Sequence, residues 1–503
     1  MKPFIYPIFS LLFAFHCWAE RSVFILNTTD IHSKLENYED EYGRISNILR
    51  LSFALKKRSY EIGKEKLIVI DNGDILQGTL PSVVSKGKLG FLFLANCEYD
   101  ILVPGNHDFD FGFDRFNELS SEFSQINILS LNLKLDRSKK WILIEKNGLK
   151  IAVIGMTLPY LKYFNTIADE FKVGEAENEL AKIIPDVMRT YPSAIILVAH
   201  HGLFLPSTRG GLNFEKIATQ YPQINLFLGG HSHEENPGQK IGPASWFVQA
   251  GSHAKLFSEI EMIFDEKDNE HYKLKDIKSK IVEINKNISE DYNLYCQISR
   301  ILEDSDRLSK EILGYTKKLI PAIESNFFDS DIHHLISNAI SDAAGVKCAF
   351  SSVGTGIANF TYEITYADLF KLLPYEDTVC TLSLSFDEFK SIVSEQITNK
   401  EESRINIYPW GVFCKFGMDK NLKSVYFPDG SLFDNTKRIE FAFSSFAIYG
   451  AGGRFPVLSS IAEKTDCKFH NTGIKIRDAV AEFIRKNSPL NLKKTKWLIF
   501  EEK

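Results

Sequence analysis

Five times between residues 23 and 233, a short apolar run ends in a cluster of Asp, Asn and His side chains. The runs are residues 23–26, 67–70, 101–103, 195–199 and 224–228. The clusters are Thr29-Asp30-Ile31-His32, Asp71-Asn72-Gly73-Asp74, Gly105-Asn106-His107-Asp108-Phe109-Asp110, His200-His201-Gly202 and Gly229-Gly230-His231-Ser232-His233. Runs this short and this rich in branched residues read as buried parallel strands. Five strands would then present polar side chains at their carboxyl ends, where open α/β sheets place their binding crevices. An Asp, His and Asn set without Cys suits one or two hard to borderline divalent cations better than a structural zinc.

A lone Asp-x-His at a strand end is common in turns, so the weight lies in the joint pattern. Asp74, just past a glycine that relaxes the backbone, is the natural carboxylate to bridge two ions. Asp30, His32 and His233 would complete one ion, and Asn106, His200 and His231 the other. Two divalent ions about 3.5 to 4 Å apart lower the pKa of a bridging water and clamp the entering and leaving oxygens of a displacement at phosphorus. His107, beside Asn106, would face the phosphoryl group and stabilise charge or protonate the leaving group. Asp110 would orient its imidazole, with Asp108 the rival partner that spacing alone leaves open. His201 reads as a neighbour, because His200 follows the strand directly. His16, His253, His271, His333, His334 and His470 read as surface or satisfied core histidines.

At 503 residues the chain exceeds what one core usually supports, so two domains are expected. Hydrophobic residues at 44% and charged residues at 25% suit a folded chain rather than extended disorder. A formal net charge of −6 offers no basic footprint for nucleic acid. The apolar stretch of residues 4–15 behind Met1-Lys2, ending near Cys17-Trp18-Ala19, reads as a secretory signal of residues 1–19, too short for a comfortable membrane span. No later segment is long and apolar enough to span. Six cysteines remain after it, Cys97, Cys296, Cys348, Cys380, Cys414 and Cys467, with no CxxC pair, and disulfides or free buried thiols are both open. Strand-like and helical stretches alternate over residues 20–280, a charged helical linker is expected over 281–313, and a second domain over 314–503.

These motifs, in this order and followed by a second domain, resemble the calcineurin-like metallophosphoesterases, and within them the secreted 5'-nucleotidase and UDP-sugar hydrolase family. The segments Glu363-Ile364-Thr365-Tyr366-Ala367-Asp368-Leu369-Phe370 and Leu372-Leu373-Pro374-Tyr375 resemble the stretch behind that family's substrate loop. The resemblance implies an α/β architecture: a layered metallophosphoesterase domain, a linker helix and an α/β carboxyl-terminal domain that grips a nucleoside and swings between open and closed positions. It implies Asp30, His32, Asp74, Asn106, His200, His231 and His233 as ligands of two divalent ions, Zn, Mn or Co, with His107 and Asp110 as the catalytic pair beside Asn106. The substrate side departs from the pattern. Ala358 stands where the family has an arginine, and Gly452 where it has a ribose-binding Asp. Restoring arginine at 358 is therefore expected to tighten nucleotide binding. Phe446 aligns as one stacking aromatic, Tyr408 or Trp410 as the other, and Tyr449, Arg404 and Arg454 are further candidates for substrate contact.

The expected function is a dinuclear metal-dependent phosphohydrolase outside the cytoplasm, periplasmic or secreted, acting on nucleoside 5'-monophosphates. Nucleotide-sugar pyrophosphatase, cyclic-nucleotide phosphodiesterase or another phosphoester hydrolase are the enzymatic alternatives, and a non-catalytic secreted binding protein is the rival of another class. Its partner is a small-molecule phosphoester, with no nucleic acid and no membrane anchor once the signal is removed. Amino-terminal sequencing of the exported protein is expected to begin at Glu20.

Overall fold

The computed structural model describes residues 20–159, 161, 176–203, 211–267, 271–323, 329–354, 356–397 and 405–500. The expected signal segment and Arg404 lie outside them. Period-two alternation governs the amino-terminal domain. Val23, Ile25, Ile68 and Ile70 point to one side and join Ile151, Val153, Ile196 and Val198 in a single buried cluster. Leu67 and Val69, on the opposite face, pack with Leu51, Phe91, Phe116 and Ile298. Ala152, Ile154, Ile195 and Leu197 likewise face Leu180, Ile184 and Phe214.

These alternations define two six-stranded sheets packed face to face, each covered outside by helices. One sheet runs in the order His271–Glu283, Leu256–Lys267, Arg21–Thr28, Leu67–Asp71, Ile101–Leu102, Asn127–Ile128. The other runs Glu235–Ile241, Ser245–Ala250, Leu226–Gly229, Ala194–Ala199, Leu149–Met156, Trp141–Lys146. The strands that carry motifs are parallel neighbours within their sheets, Phe24↔Leu67 to Thr28↔Asp71 in one and Leu226↔Ile196 in the other, with antiparallel strands at the flanks. The layered α/β domain expected of residues 20–280 is thus built on a pair of sheets. The crevice lies where their carboxyl ends meet.

The linking helix is Tyr292–Ser309, shorter than residues 281–313, because His271–Glu283 continues as a strand paired with Leu256–Lys267. Asp291 caps this helix, accepting from Asn293 N at 3.0 Å, while its other oxygen accepts from Ser52 Oγ at 2.7 Å and Asn96 Nδ2 at 2.7 Å. One side chain therefore starts the linker and ties it to the first domain. Beyond it, Ile312–Tyr315 pairs with Glu363–Thr365. The carboxyl-terminal sheet runs Tyr408–Trp410, Cys348–Ser351, Ile439–Ser444, Thr378–Leu384, His470–Lys475, with the helices Asp331–Ala344 and Ile476–Asn487 in contact beside it. The six cysteines are free, five of them buried and Cys296 exposed. Among the described residues no helix is long and apolar enough to cross a membrane.

Asp291→Ala removes a helix cap and three hydrogen bonds from neighbouring side chains, those of Ser52, Lys56 and Asn96. It is expected to lower the stability of the amino-terminal domain by about 2 kcal/mol in denaturant unfolding.

Candidate metal centre

The two sheets bring seven distant side chains to one place. Donor atoms of Asp30, His32 and Asp74 lie within 4.8 Å of one another, as do those of Asp74, His200 and His231. Asp74 belongs to both groups, which is what a bridging carboxylate requires. His233 Nε2 lies 3.4 Å from Asp30 Oδ1 and His200 Nε2 lies 3.2 Å from Asp74 Oδ2. Asn106 is buried between Gly105, which abuts Asp74 and His200, and His107, whose N–H donates to Asp74 Oδ1 at 2.7 Å.

The backbone is bent to achieve this. Asp30, His32, Asp74, His231 and His233 all have φ between 51° and 68°, in the left-handed region that most side chains avoid. At Gly105 a Cβ would collide with Asp74 Oδ1 and His200, so only glycine lets the loops approach this closely. One buried carboxylate holds the pieces together. Asp108 accepts the N–H groups of Asp74 at 2.9 Å, Ile75 at 3.0 Å, Leu76 at 3.1 Å and Gly105 at 2.8 Å. Asp108 is thus occupied with the loops. Asp110 Oδ2 lies 2.8 Å from His107 Nδ1.

Hydrogen bonds to backbone carbonyls set the imidazole tautomers. His32 Nδ1 donates to Gln77 O at 3.0 Å and His200 Nδ1 to Asn72 O at 2.5 Å, turning both Nε2 atoms inward. His32 Nε2 then faces His233 Nε2 at 3.3 Å. Two nitrogens bound about 2.0–2.1 Å from one ion at a tetrahedral angle are separated by about 3.3 Å. The donor set fits a divalent cation. Burial pushes His32 and His231 down to about 3, leaving neutral imidazoles able to ligate. Burial would raise Asp74, but the imidazoles of His200 and His107 hold it well below the usual carboxylate range. Burial likewise opposes the charged form of His107, yet Asp110 and Asp74 lift it to about 9.

The second domain meets this centre through the segment 373–377. The Tyr375 ring stacks on His107 with centroids 5.3 Å apart and planes at 21°. Gln77 Nε2 donates to Pro374 O at 2.7 Å, and Lys475 Nζ to Glu376 O at 2.7 Å and Asp110 O at 3.4 Å. Buried Arg477 braces the segment, donating to Leu373 O at 2.8 Å and pairing with Glu376. Tyr375 and Phe446 line a small cavity together with Asp377, Ser352, Gly354 and Ile407. Burial, with Asp110 nearby, pushes the Asp377 carboxyl up to about 6.

The other substrate candidates fall elsewhere. Tyr408 is buried in the carboxyl-terminal core, Trp410 packs on Trp497, Tyr449 packs edge-on to Phe469, and Arg454 is exposed with Nη1 on Ala451 O at 3.0 Å. Ala358 is buried in an apolar cluster with Ile320, Phe360 and Leu369. A guanidinium at 358 would be buried there, so an arginine cannot simply be restored. Tyr375 was missed as a contact. Its signal was an aromatic straight after Pro374, ahead of a strand. His253, read as a surface or core histidine, lies beside the centre: its ring centre is 4.9 Å from that of His233 and 5.5 Å from that of His32. Nothing local in the sequence marked it.

Comparison with known proteins agrees with this architecture. Residues 25–235 match the calcineurin-like phosphoesterase family, and residues 312–460 the 5'-nucleotidase carboxyl-terminal domain. The chain belongs to the calcineurin-like phosphoesterases that carry a 5'-nucleotidase carboxyl-terminal domain, a family of phosphoester hydrolases with a dinuclear metal site. Protein UshA of Yersinia enterocolitica is 23% identical across 93% of this chain and 91% of that protein. A snake venom 5'-nucleotidase of Gloydius brevicauda is 22% identical across 63% of this chain, and the match spans only 57% of that protein. The crystal structure of a 5'-nucleotidase precursor from Thermus thermophilus superposes with a TM-score of 0.66 over 96% of this chain and 100% of that one, at 16% identity.

Removing the two carboxyls beside His107 is expected to have opposite effects. Asp108→Ala should lower stability by about 3 kcal/mol, since it strands several buried N–H groups. Asp110→Asn should change the denaturation midpoint little and lower kcat instead.

Proposed function

We propose that this chain hydrolyses phosphomonoesters, with nucleoside 5'-monophosphates as substrates, outside the cytoplasm. The observation that carries this reading is the meeting of three parts: a donor set sharing Asp74, the His107–Asp110 pair, and the cavity walled by Tyr375 and Phe446. Relatives named 5'-nucleotidase support the substrate class.

In this reading Asp30, His32, Asp74 and His233 hold one divalent ion and Asp74, Asn106, His200 and His231 the other, with Zn, Mn or Co as the metal. Such ions, when bound, supply Lewis acidity toward the phosphoryl oxygens and a water acidic enough to attack at neutral pH. His107 keeps its Nδ1 proton on Asp110 and turns Nε2 toward the reacting group. Held charged by Asp110 and Asp74, it stabilises the phosphoryl oxygens and donates a proton to the departing alkoxide. Tyr375 and Phe446 flank the flat face of the leaving nucleoside. Gln77 and Lys475, reaching across to Pro374 and Asp110, keep the cavity beside His107. Signal removal and export set the compartment.

Purified mature protein with manganese, zinc or cobalt is expected to release phosphate from AMP, and a chelator to abolish release. No phosphate from any nucleotide or generic phosphoester would end this reading. Tyr375→Ala should raise KM for nucleotides and also lower kcat, because the ring touches both cavity and His107. An effect on KM alone would mean that the stacking contributes nothing to catalysis.

A further inference from the structure

We infer that His253 is an additional ligand of the ion proposed for Asp30, His32 and His233, so that this ion is held by three imidazoles; the inference rests on the metal centre proposed above. Donor atoms of His32, His233 and His253 lie within 4.8 Å of one another. Their ring centres form a triangle with sides of 4.9, 5.2 and 5.5 Å. An imidazole nitrogen bound about 2.0–2.1 Å from zinc puts the ring centre about 3.2 Å from the ion, so two such rings at the angles of about 90–120° found around a five-coordinate ion have centres about 4.5 to 5.5 Å apart. All three sides fall in that range. Packed rings reach such spacings too, so the weight lies with the three donor atoms, which converge on one place.

His253 is also fixed to the same loop. Its N–H donates to Asp30 O at 2.7 Å, and its Nδ1 lies 3.2 Å from Ser252 Oγ, so Nε2 is the nitrogen left for an ion. Its carbonyl accepts from Ser46 Oγ at 2.5 Å, so the residue is gripped on both sides. A third imidazole makes this position softer and favours zinc or cobalt over manganese or magnesium.

The test replaces His253 without disturbing its backbone. Its φ of 61° suits Asn and Gly, so His253→Asn and His253→Gly both remove the imidazole and keep the turn. Metal content and chelator competition are measured with zinc alone, and circular dichroism reports folding. The wild type should bind two ions. In both variants the affinity for one ion should fall at least about tenfold, the lower bound seen for groups outside the coordination sphere, while the other ion is retained. In cobalt-loaded protein, the count of paramagnetically shifted imidazole N–H resonances should drop by one. Unchanged affinities for both ions in folded variants, with an unchanged resonance count, would overturn the inference. These readouts need no substrate: a protein that binds two zinc ions and releases no phosphate would sink the proposed function and leave His253 standing.

Discussion

The site depends on one buried carboxylate that is not itself a proposed ligand. Asp108 gathers four backbone N–H groups from two loops and thereby fixes the distance between Asp74 and the Gly105-Asn106-His107 turn. Those loops end strands that are neighbours in one sheet, whereas His200, His231 and His233 come from the other. Sheet packing sets the coarse position of the two halves, to within a side chain. Asp108, the tight approach at Gly105 and the carbonyl bonds to His32 and His200 set the fine position. Charge is assembled under the same control, since the buried acids and imidazoles perturb one another strongly and a pair of cations would relieve the crowding of carboxylates.

How much of this could be read from the chain depended on how local each signal was. An apolar run capped by Asp or His is written within ten residues, so the strand tips and the donor residues were legible. Which sheet each strand joins is not local. Ile68 and Ile196 face a sheet while Val69 and Ile195 face helices, yet both faces are equally apolar, and the pattern cannot say what covers them. The linker was overextended for a similar reason. Residues 281–283 are charged and branched in a way that suits either an exposed helix or an edge strand, and only pairing with Leu256-Phe257-Ser258 decided it.

The histidine at 253 and the tyrosine at 375 were hidden for a different reason. Each stands alone in its segment, and each meets a partner more than a hundred residues away, Asp30 in one case and His107 in the other. Tyr408, Trp410 and Tyr449 had the right chemistry and were drawn into packing instead. Aromatic identity alone does not separate a wall of a cavity from a plug of a core.

The left-handed backbone at Asp30, His32, Asp74, His231 and His233 has a consequence for how such a chain changes over generations. Each of these positions would relax on replacement by Gly or Asn. At His231 and His233 the mutations that silence the centre are therefore among those the backbone tolerates most easily, and descendants released from selection for hydrolysis should drift toward stable, metal-free shells on this same scaffold.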